Sequence, residues 1–170
     1  MKLYLLRHAI ACARDPHRFP DDDARPLTRR GRVRMRVAAG GLRKLGIEPK
    51  VIHSSPLVRA KQTAEIVAAA MKPRAKVRVE QALAPGRDPF RIIRSLKSNN
   101  GRDEIVLVGH EPDLSKFAGL LLSGAPAVMM KWKKGGLCCI ELPDSPAPGG
   151  GRLLFQATPR MLRMLGSRKP

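Results

Sequence analysis

The chain is poor in aromatic residues: among 170 positions there are one Trp, one Tyr and four Phe, 4% in all. Apolar residues still make up 43%, an ordinary share for a globular protein, so its core has to be aliphatic. Cysteine is equally scarce, with three residues and no Cys-x-x-Cys spacing. Two of them, Cys138 and Cys139, are adjacent in an apolar stretch where successive side chains face opposite ways, so they should not pair. This usage excludes a disulfide framework and reads as buried free thiols in a reducing compartment. The histidines lack the short paired spacing of zinc ligands, and no metal is expected.

Long hydrophobic runs are missing too. The longest, residues 117–130, is broken by Gly119, Ser123, Gly124 and Pro126 and cannot span a bilayer. The first, residues 3–6, is followed at once by Arg7, which is not the pattern of a signal peptide. A soluble cytoplasmic protein without a membrane partner is expected.

Acidic residues are the third scarcity: 14 Asp and Glu against 33 Lys and Arg give a formal charge of +19. Phosphate groups, acidic protein surfaces and nucleic acid all suit such a surface. The arginines are dispersed along the chain, so a solvated basic surface is the simpler reading and nucleic acid is not the expected partner. The run Lys131-Trp132-Lys133-Lys134 places one aromatic among lysines and reads as a solvated hairpin.

What is present is a succession of short elements that fit one domain over residues 1–170, with no internal repeat. Residues 3–6 are too few for a helix and suit a buried strand that stops at Arg7-His8. A loop rich in Pro and Asp follows to Pro26. Thr28 then caps a helix from Arg29 towards Leu45 that presents Val33, Val37, Leu42 and Leu45, is weakened by Gly40-Gly41, and ends at Gly46. Residues 50–54 read as a strand. Ser55 and Pro56 read as N-cap and first helical position of a helix over 57–71. An edge strand (75–80), a short helix (90–97), a fully apolar strand (104–108) and a helix (113–122) ended by Gly124 follow. Residues 136–142 and 152–158 read as strands, 159–165 as a helix, and 166–170 as a frayed tail. Strands alternating with helices predict a three-layer α/β/α sandwich, its central sheet mostly parallel with one antiparallel step near the end.

Three predicted strand ends carry similar chemistry: Arg7-His8, Ser54-Ser55-Pro56-Leu57-Val58-Arg59, and Gly109-His110-Glu111-Pro112. In a parallel sheet these ends lie along one edge, where α/β folds bind ligands. Two histidines and two arginines, with a helix start at Ser55, suit a tetrahedral oxyanion. Helical side chains lean towards the helix N-terminus, which brings Arg59 to the same place.

These segments, with Arg25-Pro26-Leu27-Thr28 and Gly31, resemble the histidine phosphatase superfamily, which includes the cofactor-dependent phosphoglycerate mutases; within it the chain is most similar to the SixA-type bacterial phosphohistidine phosphatases. The family's Arg-His-Gly motif stands here as Arg7-His8-Ala9. The resemblance covers most of the chain, in the family's order, and implies a phosphoglycerate mutase-like fold. It further implies that His8 attacks phosphorus and becomes a phosphohistidine, which water hydrolyses. Arg7, Arg59 and His110 would hold the phosphoryl oxygens, with no metal or other cofactor. For attack, one ring nitrogen of His8 must be unprotonated, with the other donating to a backbone carbonyl.

Many family members place a glutamate after the third strand as general acid. Here that segment reads Glu80-Gln81-Ala82-Leu83-Ala84-Pro85-Gly86-Arg87-Asp88, with Glu80 and Asp88 as weak candidates. A missing donor favours a phosphohistidine substrate, whose imidazole can be protonated beforehand, over an alkoxide leaving group. Short connections point the same way, since an open site suits a phosphoryl group on a protein surface. The expected partner is thus a phosphorylated protein or else a small phosphomonoester, with the chain acting as a monomer. A different class of reading is a catalytically silent basic module that holds phosphorylated or polyanionic partners. His17 and His53 are read as structural. Arg25 either contacts the incoming anion or pairs with Asp21-Asp22-Asp23.

Overall fold

The computed structural model describes residues 1–97, 104–126, 130 and 132–167. At its centre lies β1 (Lys2–Arg7), whose residues 3–6 are all buried. It pairs in parallel with β4 (Ile105–Gly109) and antiparallel with β5 (Leu137–Glu141). Beyond β4 come β2 (Val51–Ser54) and the edge strand β3 (Lys76–Val79), both parallel; β6 (Arg152–Ala157) closes the other side, antiparallel to β5. The order is β3-β2-β4-β1-β5-β6, so β5 is the reversed strand in a mostly parallel sheet. That is the mixed sheet expected from a final strand pair joined without a helix.

Alternation along the strands divides the core into two layers. On one face Tyr4, Leu6, Ile52, Val106, Val108 and Cys139 meet α1 (Arg29–Lys44), α2 (Val58–Ala70) and α5 (Pro159–Ser167). On the other, Leu3, Leu5, Leu107, Cys138 and Ile140 meet α3 (Phe90–Lys97) and α4 (Asp113–Ser123). Cys138 and Cys139 thus belong to opposite layers, and both thiols are free. The core is aliphatic, with Phe117 and Trp132 its large aromatics apart from Tyr4.

Several local expectations need correction. Thr28 caps α1 as predicted, accepting from the Gly31 N–H at 2.9 Å. The buried face of α1, however, is Met35, Ala38, Ala39 and Leu42, while Val33 and Leu45 are 49% and 42% exposed. Helix α1 nevertheless runs unbroken through Gly40-Gly41, and at Gly41 α5 crosses it at backbone distance. A Cβ on Gly41 would lie 2.0 Å from the Leu162 carbonyl oxygen, and one on Gly166 would lie 1.9 Å from that of Val37. Gly166 and Ser167 therefore belong to α5 rather than to a frayed tail; residues 168–170 lie outside the described residues. Trp132 is not solvated: it is 4% exposed, and its indole N–H donates to the Gly136 carbonyl at 2.9 Å. Lys131 lies outside the described residues.

Alanine normally stabilises a helix relative to glycine. At the α1–α5 crossing the steric term reverses the sign, and Gly41→Ala is expected to destabilise the fold by about 1–3 kcal/mol. Chemical denaturation should show a lower midpoint at an unchanged slope.

Candidate functional site

The parallel register sets the site. Arg7 at the end of β1 lies opposite Gly109 at the end of β4, and Ser54 at the end of β2 lies opposite Val108. All three strands finish along one edge, and the chain leaves each carrying a polar residue. The His8 N–H donates to the Gly109 carbonyl and the Ser55 N–H to that of Val108, which extends the ladder into the exits. The site is a surface pocket of about 520 Å³ lined by Arg7, His8, Arg59 and His110, the four residues singled out in the sequence.

His8 and His110 are each 5% exposed, with ring centroids 5.1 Å apart. His8 Nδ1 lies 2.7 Å from the Ala9 carbonyl oxygen. A carbonyl only accepts, so Nδ1 carries the proton and Nε2 the lone pair, the arrangement that an attacking imidazole requires. Burial pushes His8 down to about 4, with Arg59 and Arg7 adding to the effect and the Ala9 hydrogen bond opposing it. His110 is pushed to about 3 by burial, then by His8, Arg59 and Arg7. Both rings are neutral at pH 7.

Helix α2 begins later than expected. Its N-cap is Leu57, not Ser55, and the Ser55 hydroxyl instead meets His110 Nε2 at 2.8 Å while accepting from the Leu57 N–H at 3.3 Å. From α2, the Thr63 hydroxyl accepts from the Ala9 N–H at 3.0 Å and donates to the Arg59 carbonyl at 2.7 Å. Gln62 accepts from the Leu27 N–H at 2.9 Å. One helical face thus holds Arg59, the turn after His8 and the segment carrying Arg25 in mutual register.

Arg59 is 5% exposed and pairs with Asp22: its Nη2 lies 3.0 Å from Oδ2, and its Nη1 donates to the Asp22 carbonyl at 2.7 Å. Arg25 also pairs with Asp22, at 2.9 Å, donates to the Cys12 carbonyl, and lines the pocket. Both alternatives for Arg25 therefore meet in one place. Arg7 donates through Nη1 to the Trp132 carbonyl. The hydrogen bonds from Arg25, with Arg59 and Arg14 behind them, hold the Asp22 carboxyl below its ordinary range.

Among the pocket residues that the sequence does not mark as site candidates are Asp22, Lys134 and Glu111. Asp22 stood in an acidic run with nothing to mark it out. Lys134 reaches the pocket because Gly135 folds back on the Arg7 and His8 carbonyls; burial, then Arg7, Arg25 and Arg59, lower its ammonium's value. Glu111 was visible only as the neighbour of His110. Neither carboxyl proposed from the sequence lines this pocket: Glu80 accepts from the Ala82 N–H and the Ser95 hydroxyl, while Asp88 accepts from the Phe90 N–H, is 4.0 Å from Arg94 and lines the adjoining cavity that shares His110. His17 and His53 also lie outside the pocket. No metal-ligand cluster is found among the described residues, and no helix there is long and apolar enough to cross a membrane.

Fold and pocket together define an α/β protein that gathers imidazoles and guanidinium groups, an arrangement suited to a tetrahedral anion, at the carboxyl edge of its sheet. The sequence profile of the Histidine phosphatase superfamily (branch 1) matches residues 3–84. An uncharacterised protein of Picosynechococcus sp. is 38% identical over 140 residues, 81% of this chain and 82% of that one. The Escherichia coli phosphohistidine phosphatase SixA is 26% identical over 166 residues, 96% and 98% of the two chains. The structure of the protein histidine phosphatase SixA complexed with tungstate superposes with a TM-score of 0.82 at 24% identity, covering 94% of this chain and 98% of that one. The chain belongs to the histidine phosphatase superfamily.

Buried neutral histidines make stability depend on pH with a definite sign. The unfolded state takes up protons near the ordinary value of 6.5, whereas folded His8 does so only near 4. Between those values the unfolded state binds more protons, so this contribution is full above about pH 6.5 and is lost as pH falls towards 4. His8→Asn should flatten the acid slope of unfolding free energy between pH 6.5 and 4, measured by denaturant titration at each pH.

Proposed function

We propose that the protein removes the phosphoryl group from phosphohistidine carried on another protein, by way of a phosphorylated His8. In the first step the Nε2 lone pair attacks phosphorus and the bond to the leaving imidazole breaks; in the second, water hydrolyses the phosphohistidine formed on His8. Arg7 and Arg59 hold the equatorial oxygens with charge-assisted hydrogen bonds, and His110 completes the cradle. Arg59 exchanges its pairing with Asp22 for the incoming anion. The observation that carries the chemistry is the Nδ1 contact of His8 with Ala9, which leaves Nε2 unprotonated beside two cations.

The end-to-end similarity to the E. coli phosphohistidine phosphatase SixA supports the choice of substrate. So does the form of the pocket. Its floor of His8, Arg59 and His110 is buried, while Arg14, Asp23, Pro85 and Lys134 at the rim are exposed, an opening that a protein-borne group can enter. Absence of a proton donor does not support the choice, because Glu111 puts a carboxyl in the pocket.

A second reading, a small-molecule phosphomonoesterase, is favoured by a cavity of about 420 Å³ that shares His110 and is walled by Leu83, Ile92 and Leu114. An organic leaving group with an apolar portion would fit there.

The two readings separate on comparing turnover of a phosphohistidine-bearing protein with that of small phosphomonoesters. A higher kcat/KM for the protein is expected, and a strong preference for sugar phosphates would sink the first reading. His8→Ala should lower turnover of either by on the order of 10⁴-fold or more. The wild type should yield an acid-labile phosphoryl group on His8 after rapid quenching, which a silent binding module would not.

A further inference from the structure

Two carboxyl groups at the site differ sharply in their surroundings. Asp22 is bound by Arg25 and Arg59, which keep it ionised, so it has no proton to give near pH 7. Glu111 follows His110 directly and lines the same pocket. Its Oε2 lies 2.5 Å from the Ser115 hydroxyl oxygen, which is also 3.1 Å from the Met130 carbonyl. Its Oε1 is buried and has no partner among the described residues. The other orphaned buried polar atoms there are Arg7 Nε and Arg59 Nε, in the same pocket. A buried carboxyl oxygen without a partner costs less when the group is protonated than when it is charged.

We propose that Glu111 is the proton donor to the leaving group, through Oε1. The proposal rests on the phosphatase reading and deepens it. As His8 Nε2 forms its bond to phosphorus, the electron pair of the breaking bond passes to the leaving oxygen or nitrogen, which takes the Glu111 proton. The resulting carboxylate then takes a proton from the attacking water, the phosphorus–nitrogen bond breaks, and its electron pair returns to Nε2. Both groups regain their starting state.

The surroundings agree with this assignment. Burial raises Glu111 above the ordinary carboxyl value; Asp113 acts in the same direction, while the Ser115 hydrogen bond and Arg7 oppose it. Carboxyl groups whose environments push them apart are the usual mark of divided acid and base roles. With a donor present, the site can also expel leaving groups more basic than a protonated imidazole.

The test uses the full chain and a series of aryl phosphates whose phenols span a range of basicity. In Glu111→Gln, turnover of the most acidic phenol should fall less than about tenfold and that of the most basic by about 10²–10⁴-fold. The dependence on leaving-group basicity thus steepens, and the alkaline limb of the wild-type pH profile should disappear. Equal losses across the series, or none, would overturn the assignment. Inorganic phosphate should bind the variant as it binds the wild type; should the amide disturb the pocket, the wild type decides. Its alkaline limb must be pronounced for the basic phenol and weak for the acidic one, and identical limbs would overturn the proposal. A wild type that forms no phosphorylated His8 from any ester or phosphohistidine protein would overturn the phosphatase reading itself.

Discussion

The parallel pairing of β1 with β4 is the constraint on which the site depends. It places Arg7 opposite Gly109, so the residues that follow, His8 and His110, leave the sheet side by side. A slip of one residue would turn Leu3 and Leu5 into the layer of Leu6 and scatter both the core and the pocket. Burial on both faces fixes that register, since β1 and β4 contribute alternately to the two hydrophobic layers. The placement of the pocket residues is therefore a by-product of packing.

Desolvation sets the chemistry at this edge. An imidazole in water near pH 7 is partly protonated. Here burial beside guanidinium groups keeps both rings neutral, and the Ala9 carbonyl selects which nitrogen of His8 holds its proton. The pocket walls carry five cations, Arg7, Arg14, Arg25, Arg59 and Lys134, so its field favours an anion. Asp22 occupies part of that field as a carboxylate paired with Arg59. The large positive charge of the chain thus has a local counterpart at the site, whatever the rest of the basic surface does.

Much of this was legible in the residues. The apolar run before Arg7, the Thr28 cap, Gly124 closing α4 and the apolar stretch before Gly109 each mark an element through local rules, and the observed bounds agree within a residue or two. His8, Arg7, Arg59 and His110 were legible because each stands at an element boundary in an ordered motif. Ser55 was misread because a Ser-Pro pair after a strand has the form of a cap, whereas its hydroxyl is spent on a histidine 55 residues away. The role of Gly41 was not legible because helix propensity is local, while the reason for that glycine is the backbone of α5.

By itself the sequence determined the alternation of strands and helices, the aliphatic core and the identity of the four pocket residues, since each depends on neighbours within a few positions. Only the tertiary structure decided which other charged groups join them. Asp22, Lys134 and Glu111 reach the pocket through a loop, a turn held by the Arg7 and His8 carbonyls, and a helix start; Glu80 and Asp88 are drawn away into local turns. The reason is physical: a side chain's charge state depends on what surrounds it in space, and neither desolvation nor a distant cation leaves a mark on the adjoining residues.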